Sequence, residues 1–120
     1  MGLIYVTTSL REVTGLGPAF TSEFLVETGA VDCLVDGDEL RKIGLQPAGK
    51  DTYELADGQS VQLEYGFCRV NVLGAETVAQ VIFGQPGCEP ILGVVAMENI
   101  GIVVDPRTKT LKRLHAKPLK

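Results

Sequence analysis

The chain has 120 residues, a formal net charge of −4, 45% hydrophobic residues and 22% charged residues. These values fit one globular domain, residues 1–120, and argue against a disordered chain. No apolar run approaches the roughly 18 residues that a membrane-spanning helix needs, so we expect no membrane partner. The three cysteines cannot all pair, and we expect reduced thiols in a cytoplasmic protein.

Short apolar or alternating segments, separated by turn signals, predict an all-β domain with two short helices. The predicted strands are residues 3–10, 20–26, 31–35, 52–56, 60–65, 68–73, 77–83, 91–92, 101–105 and 108–114. The predicted helices begin at residue 36 or 37 and at residue 94, and end at residues 43 and 99. Asp57-Gly58 is the strongest hairpin signal. This strand spacing favours a barrel-like or sandwich domain.

Basic residues are concentrated at the end of the chain. Six of the eleven Lys and Arg residues lie between positions 107 and 120. Such a segment can bind nucleic acid or lipid, but this one has no aromatic residue on which a base could stack. We therefore expect a solvated terminal strand followed by a basic tail at about 115–120, and no nucleic-acid partner.

An internal repeat appears when the chain is shifted by 57 positions. Matching segments are Phe24-Leu25-Val26 with Val81-Ile82-Phe83, Leu34-Val35 with Ile91-Leu92, Leu40 with Met97, and Ile43-Gly44-Leu45 with Ile100-Gly101-Ile102. Each copy reads as strand, turn, short strand and short helix. The repeat predicts two structural units related by a pseudo-two-fold axis.

The two copies differ in the turn that follows the first strand. The first copy has Glu27-Thr28-Gly29-Ala30, whereas residues 84–87 of the second copy have no ionisable group. One chain therefore supplies one carboxylate at this turn. A site built from a pair of such carboxylates would need two chains.

Three parts of the sequence together point to a known family. Residues 26–30 follow an apolar strand, the predicted hairpin comes next, and Ile91-Leu92-Gly93 precedes a helix. This arrangement resembles the retropepsin-like aspartic proteases, in particular their small bacterial and archaeal members, over residues 3–114. The family pattern is a hydrophobic strand, Asp-Thr/Ser-Gly-Ala, a flap hairpin, and Ile/Leu-Leu/Ile-Gly before a helix.

The resemblance implies a retropepsin-like acid protease barrel that works as a homodimer on an extended peptide or protein substrate. One active site would lie on the dimer axis, with termini around residues 4–6 and 111–114 forming much of the dimer sheet. Glu27 takes the place of the catalytic Asp, Thr28 would hydrogen-bond across the dimer, and Gly29 would let the backbones approach closely. The implied substrate-binding residues are Ala30, Asp32, Asp57, Gly58, Ile91 and Leu92. Asp32 is either a ligand for the peptide backbone or an exposed acid at a strand end.

Glu27 departs from the family pattern, because Glu is one methylene longer than Asp. Its carboxylate reaches up to about 1.5 Å further, and it has one more rotatable bond. The sequence leaves three explanations open. Glu27 is a tolerated variant with weak activity, the mark of a pseudo-protease that only binds peptides, or an engineered inactivating change.

The predicted function is aspartic-type endopeptidase activity, weakened by Glu27. The alternative is a catalytically inactive, dimeric peptide-binding or assembly module. Other hydrolase mechanisms are rejected, because His115 is the one histidine and no G-x-S-x-G sequence is present. We expect no cofactor and no metal, since the cysteines and His115 lack the spacing of zinc ligands.

Overall fold

The computed structural model describes residues 3–119, which form nine strands and two short helices. Met1, Gly2 and Lys120, at the ends of the predicted domain and tail, lie outside the described residues. The strands are β1 (Tyr5–Arg11), β2 (Phe20–Val26), β3 (Cys33–Asp36), β4 (Gly49–Glu54), β5 (Ser60–Val72), β6 (Ala75–Gly84), β7 (Ile91–Leu92), β8 (Ile102–Asp105) and β9 (Thr110–Arg113). The helices are α1 (Gly37–Lys42) and α2 (Val94–Ile100). The predicted mostly-β architecture is confirmed.

Seven strands form one sheet that closes on itself. The order is β1-β2-β7-β3-β6-β5-β4, and β1 also pairs with β5. Closure leaves β4 as an edge strand, held by backbone pairing to β5 alone. The fully buried side chains in the interior include Leu10, Phe24, Val35, Leu40, Cys68, Val70, Val72, Val81 and Leu92. Burial of this apolar surface is the main favourable contribution to folding.

Strand β5 differs from the prediction, which placed separate strands at residues 60–65 and 68–73. The structure has one strand of 13 residues. Its first half pairs with β4 and its second half pairs with β6, and Tyr65 has a partner in both. Gly66 marks the transition, because a Cβ there would lie 3.1 Å from the Gln46 carbonyl oxygen and 3.2 Å from the Phe83 ring. Gly66, which lies between the two predicted strands, permits this close packing within one continuous strand.

Helix α1 begins where the sequence predicts, because Asp36 caps it. Asp36 Oδ1 accepts a hydrogen bond from the Asp38 amide at 2.8 Å, a typical N-cap contact. Asp36 Oδ2 accepts another from the Gly87 amide, also at 2.8 Å. Both bonds lower the pKa of Asp36. The Asp36 side chain thus joins α1 to the loop between β6 and β7.

The end of the chain forms a separate two-stranded sheet of β8 and β9. The predicted tail that follows is exposed over residues 115–119. Lys117 Nζ nevertheless donates to the carbonyl oxygen of Asn99, near the end of α2, at 2.8 Å. A positive charge is favourable at this end of a helix. No helix within residues 3–119 has the length and apolar character to cross a membrane.

Candidate active site

Glu27 lies at the start of the loop that connects β2 to β3, which we call the Glu27 loop (residues 27–32). Strand β2 runs parallel to β7, with Val26 opposite Leu92. The Glu27 amide donates to the Leu92 carbonyl at 3.1 Å, and the Ala30 amide donates to the Glu27 carbonyl at 3.1 Å. The loop therefore leaves the sheet as a tight turn whose first residue is held by β7.

The Glu27 side chain is exposed, and its carboxylate turns back over its own loop. Glu27 Oε1 accepts a hydrogen bond from the Gly29 amide at 3.2 Å. A Cβ on Gly29 would lie 3.4 Å from the same oxygen, an ordinary contact. The longer Glu side chain thus keeps its carboxylate at the loop surface, where it is open to water and to a ligand.

Helix α2 holds the other end of the Glu27 loop. The Val94 amide donates to the Ala30 carbonyl at 2.8 Å, and the Val95 amide donates to the Val31 carbonyl at 3.2 Å. Amides in the first turn of a helix have no partner within the helix, so these loop carbonyls satisfy them. The segment Ile91-Leu92-Gly93 and α2 therefore fix the position of the loop that bears Glu27.

A cleft of about 920 Å³ lies between the Glu27 loop and the β4–β5 hairpin. Its volume is within the range of small-ligand sites. Six of the nine residues predicted for the site line it: Glu27, Gly29, Ala30, Asp32, Gly58 and Ile91. The cleft also has apolar walls and a further acid that the sequence analysis did not assign to binding: Leu34, Glu54, Leu55 and Leu63.

The other three predicted residues lie elsewhere. Thr28 lines a separate groove on another side of the loop. Asp57 belongs to the hairpin turn, where its Oδ1 accepts from the Gln59 amide at 2.9 Å. Leu92 is fully buried in the core. Their placement makes Asp57 and Leu92 structural supports of the cleft walls rather than part of the cleft surface.

Asp32 is joined to two residues that the sequence analysis missed, Tyr53 of β4 and Gln80 of β6. Its Oδ2 accepts from the Tyr53 hydroxyl at 3.1 Å and from Gln80 Nε2 at 3.2 Å. Gln80 Nε2 also lies 3.2 Å from the Tyr53 hydroxyl oxygen. Burial raises the pKa of Asp32, the Tyr53 hydrogen bond lowers it, and Asp51 adds to the rise. Burial likewise raises the pKa of Tyr53.

The charged side chains that line the cleft are all acidic. Among the described residues, three carboxylates line it (Glu27, Asp32 and Glu54) and no Lys, Arg or His does. Strand β4, whose residues 52–54 line the cleft, has a free edge with unpaired backbone groups. Such edges bind extended chains by adding a strand. The arrangement can therefore accommodate an extended peptide beside an exposed carboxylate.

Comparison with solved structures assigns the fold. The crystal structure of the retroviral protease-like domain of Ddi1 from Leishmania major matches with a TM-score of 0.59 and 15% identity, covering 97% of this chain and 91% of that one. A retropepsin-like aspartic protease from Rickettsia conorii matches with a TM-score of 0.50 and 23% identity, covering 87% of this chain and 85% of that one. Searches of family models and of curated proteins give no match.

The chain therefore has a retropepsin-like fold. The match covers nearly the whole chain, so the predicted retropepsin-like all-β architecture is confirmed. At these identities the likeness concerns the fold, and function has to be argued from the site itself.

Proposed function

We propose that this chain is an aspartic-type endopeptidase in which two protomers each supply Glu27 to one active site. The observation that carries the proposal is the cleft, which places the exposed Glu27 opposite a hairpin within a retropepsin-like fold. In this function the β4–β5 hairpin is the flap, and Ala30, Gly58 and Ile91 contact an extended peptide. The products are the two fragments of a peptide that is hydrolysed at one bond.

The chemistry requires two carboxylates that share one proton. Two such groups about 3 Å apart cannot both ionise. The ionised Glu27 takes a proton from water, whose oxygen attacks the carbonyl carbon of the scissile bond, while the protonated Glu27 polarises the carbonyl oxygen. The C–N bond then breaks as the nitrogen receives the proton that the first Glu27 took from water, and that Glu27 is ionised again. The two Glu27 residues titrate as one coupled unit.

An apolar groove beside Glu27 supports the homodimer. Its lining residues are Leu3, Ile4, Leu25, Val26, Glu27, Thr28, Val104 and Pro106. Leu3 is 71% exposed, and the Thr28 hydroxyl makes no hydrogen bond within residues 3–119. In the proposed dimer, the partner's Glu27 loop and terminal segments cover this groove, and the two Thr28 hydroxyls bond across the axis.

The strand register supports the proposed internal two-fold repeat. Leu25 of β2 is opposite Ile91 of β7. A shift of 57 positions converts Leu25 into Ile82 and Ile91 into Leu34, and these two residues are also opposite each other, in β6 and β3. Leu34 and Ile91 face each other across the proposed axis. Both units are needed to hold one Glu27 loop, so the second carboxylate has to come from a second chain.

Glu in place of Asp sets the expected rate. A displacement of about 1 Å at a reacting group costs roughly a hundredfold, and the extra methylene moves the carboxylate by up to about 1.5 Å. The bond from the Gly29 amide to Glu27 Oε1 offsets part of that displacement by holding the carboxylate against the loop. We therefore expect slow cleavage that speeds up in Glu27→Asp.

A peptide-library digest at several pH values tests this function. Wild type, Glu27→Asp and Glu27→Gln are compared, and Glu27→Gln is the matched control because it keeps the size and removes the charge. Cleavage by wild type that disappears in Glu27→Gln supports the proposal. If Glu27→Asp cleaves and wild type does not, the native activity is rejected and the geometry of the site is retained.

The second candidate is a dimeric module that binds peptides without cutting them. The Glu at the position of the family's Asp favours it, because the extra methylene moves the carboxylate by up to about 1.5 Å. In that function extended peptides bind without turnover, and Glu27→Ala leaves their affinity nearly unchanged. Both functions require a dimer, which sedimentation measures. A protein that stays monomeric at high concentration is incompatible with both functions.

A further inference from the structure

The Asp32–Tyr53–Gln80 cluster connects three elements that are distant in the sequence. Asp32 ends the Glu27 loop, Tyr53 belongs to β4, and Gln80 belongs to β6. The three side chains form a closed ring of contacts of 3.1, 3.2 and 3.2 Å. All three residues are only partly exposed, so water competes less for these bonds than it does at the surface.

The ring contacts the hairpin at β4, the strand of the hairpin that has a free edge. Strand β4 pairs with β5 on one side, and its other side is a free edge. Within residues 3–119, the bonds of Tyr53 are the side-chain hydrogen bonds that join β4 to a part of the chain outside the hairpin. The β5 arm has a separate tie, the exposed ion pair of Glu64 with Arg41 at 3.2 Å, and exposed pairs of this kind contribute little.

We propose that Asp32 and Tyr53 are positioning residues that hold β4 over the cleft and so set the width of the site. The two side chains act as a latch between the Glu27 loop and the hairpin, and Gln80 of β6 hydrogen-bonds to both. Asp32 Oδ2 then holds the hairpin, while the same side chain lines the cleft. The effect on cleavage rests on the proposed function, whereas the latch itself does not.

Amide hydrogen exchange of the intact protein tests the latch. Exchange in residues 49–54 is compared among wild type, Tyr53→Phe, Asp32→Leu and Asp32→Asn. Losing one net hydrogen bond shifts an opening equilibrium by about two- to tenfold, so Tyr53→Phe and Asp32→Leu should accelerate exchange in this segment by that factor. Asp32→Asn keeps an oxygen that accepts from Tyr53 and should exchange more slowly than Asp32→Leu.

Tyr65→Phe is the matched control. Tyr65 lies on the paired strand β5, opposite Gly49, and its hydroxyl makes no hydrogen bond within the described part of the chain. The proposal is overturned if Tyr53→Phe exchanges like Tyr65→Phe, or if faster exchange spreads equally over β1 and β2 and so reports general destabilisation. Amide exchange is measured without a substrate. The experiment therefore tests the latch even in a protein that has no peptidase activity. If peptides are cleaved, Tyr53→Phe should raise KM more than it changes kcat.

Discussion

Gly93 is the position where one added methyl group tests the support of the Glu27 loop. A Cβ at Gly93 would lie 2.5 Å from both C and O of Asp32, and 2.7 Å from the carbonyl oxygen of Val31. All three are backbone atoms, which cannot rotate away as the end of a long side chain does. Ordinary contact begins at 3.4 Å, so Gly93→Ala has to separate the loop from α2 by about 0.9 Å.

The cost of this separation is steric. Gly93 has φ −86° and ψ 167°, an extended backbone that alanine adopts freely. Overpacking in a tightly packed region costs about 1–3 kcal/mol. The displacement also stretches the bonds from the Val94 and Val95 amides to the loop. We therefore expect Gly93→Ala to lower the free energy of unfolding by about 2 kcal/mol, and any cleavage rate to fall by about a hundredfold.

Urea unfolding of Gly93→Ala beside Gly17→Ala measures the effect. Gly17 is the control because an added Cβ there meets its nearest atoms at 3.6 Å, an ordinary contact, and its φ is not in the left-handed region. Gly17→Ala should stay within about 0.5 kcal/mol of wild type. Equal stability of the two variants would refute the view that α2 clamps the loop through a contact that only glycine allows.

Three further predictions concern the core, the α1 cap and the thiols. Leu92→Ala should lower the free energy of unfolding by about 2–5 kcal/mol in urea, because Leu92 is fully buried; a loss below 1 kcal/mol would contradict its place in the core. The pKa of Asp36 is lowered chiefly by the hydrogen bond from the Gly87 amide. The ionised Asp36 therefore stabilises the folded protein above the unfolded pKa, and this contribution is lost as pH falls through the folded pKa. Asp36→Ala should therefore lose stability at pH 7 and converge on wild type in acid, and parallel pH profiles would count against this. Burial raises the pKa of Cys33 to about 11, so a thiol reagent should modify the partly exposed Cys88 first in the native protein, and mass mapping that finds Cys33 first would disprove the assignment.

The sequence predicted the elements whose signals are local. Asp57-Gly58 marked the hairpin turn, and the helix starts predicted at residue 36 or 37 and at residue 94 agree with those of α1 and α2. The prediction divided β5 into residues 60–65 and 68–73, and Gly66 lies in the gap between them. In the structure the missing side chain makes room for the Gln46 carbonyl, a contact that depends on chain distant in the sequence.

The site was predicted in part for the same reason. Glu27, Gly29 and Asp32 share one loop, so a motif identifies them together. Tyr53 and Gln80 are 21 and 48 positions from Asp32, and no motif joins them. The one available signal was the two-residue period of a strand, which assigns a side chain to a face of the sheet but does not identify its partner.

The continuity of β5 determines how the cleft can open. One strand runs from the hairpin turn into the closed sheet, where residues 69–72 pair with both β1 and β6. A hinge between two rigid bodies is therefore absent along this strand, and an opening motion has to be absorbed as a bend distributed along its backbone. Gly66 is the one glycine in β5, and the Gln46 carbonyl and the Phe83 ring that approach it limit how far the half of the strand paired with β4 can bend.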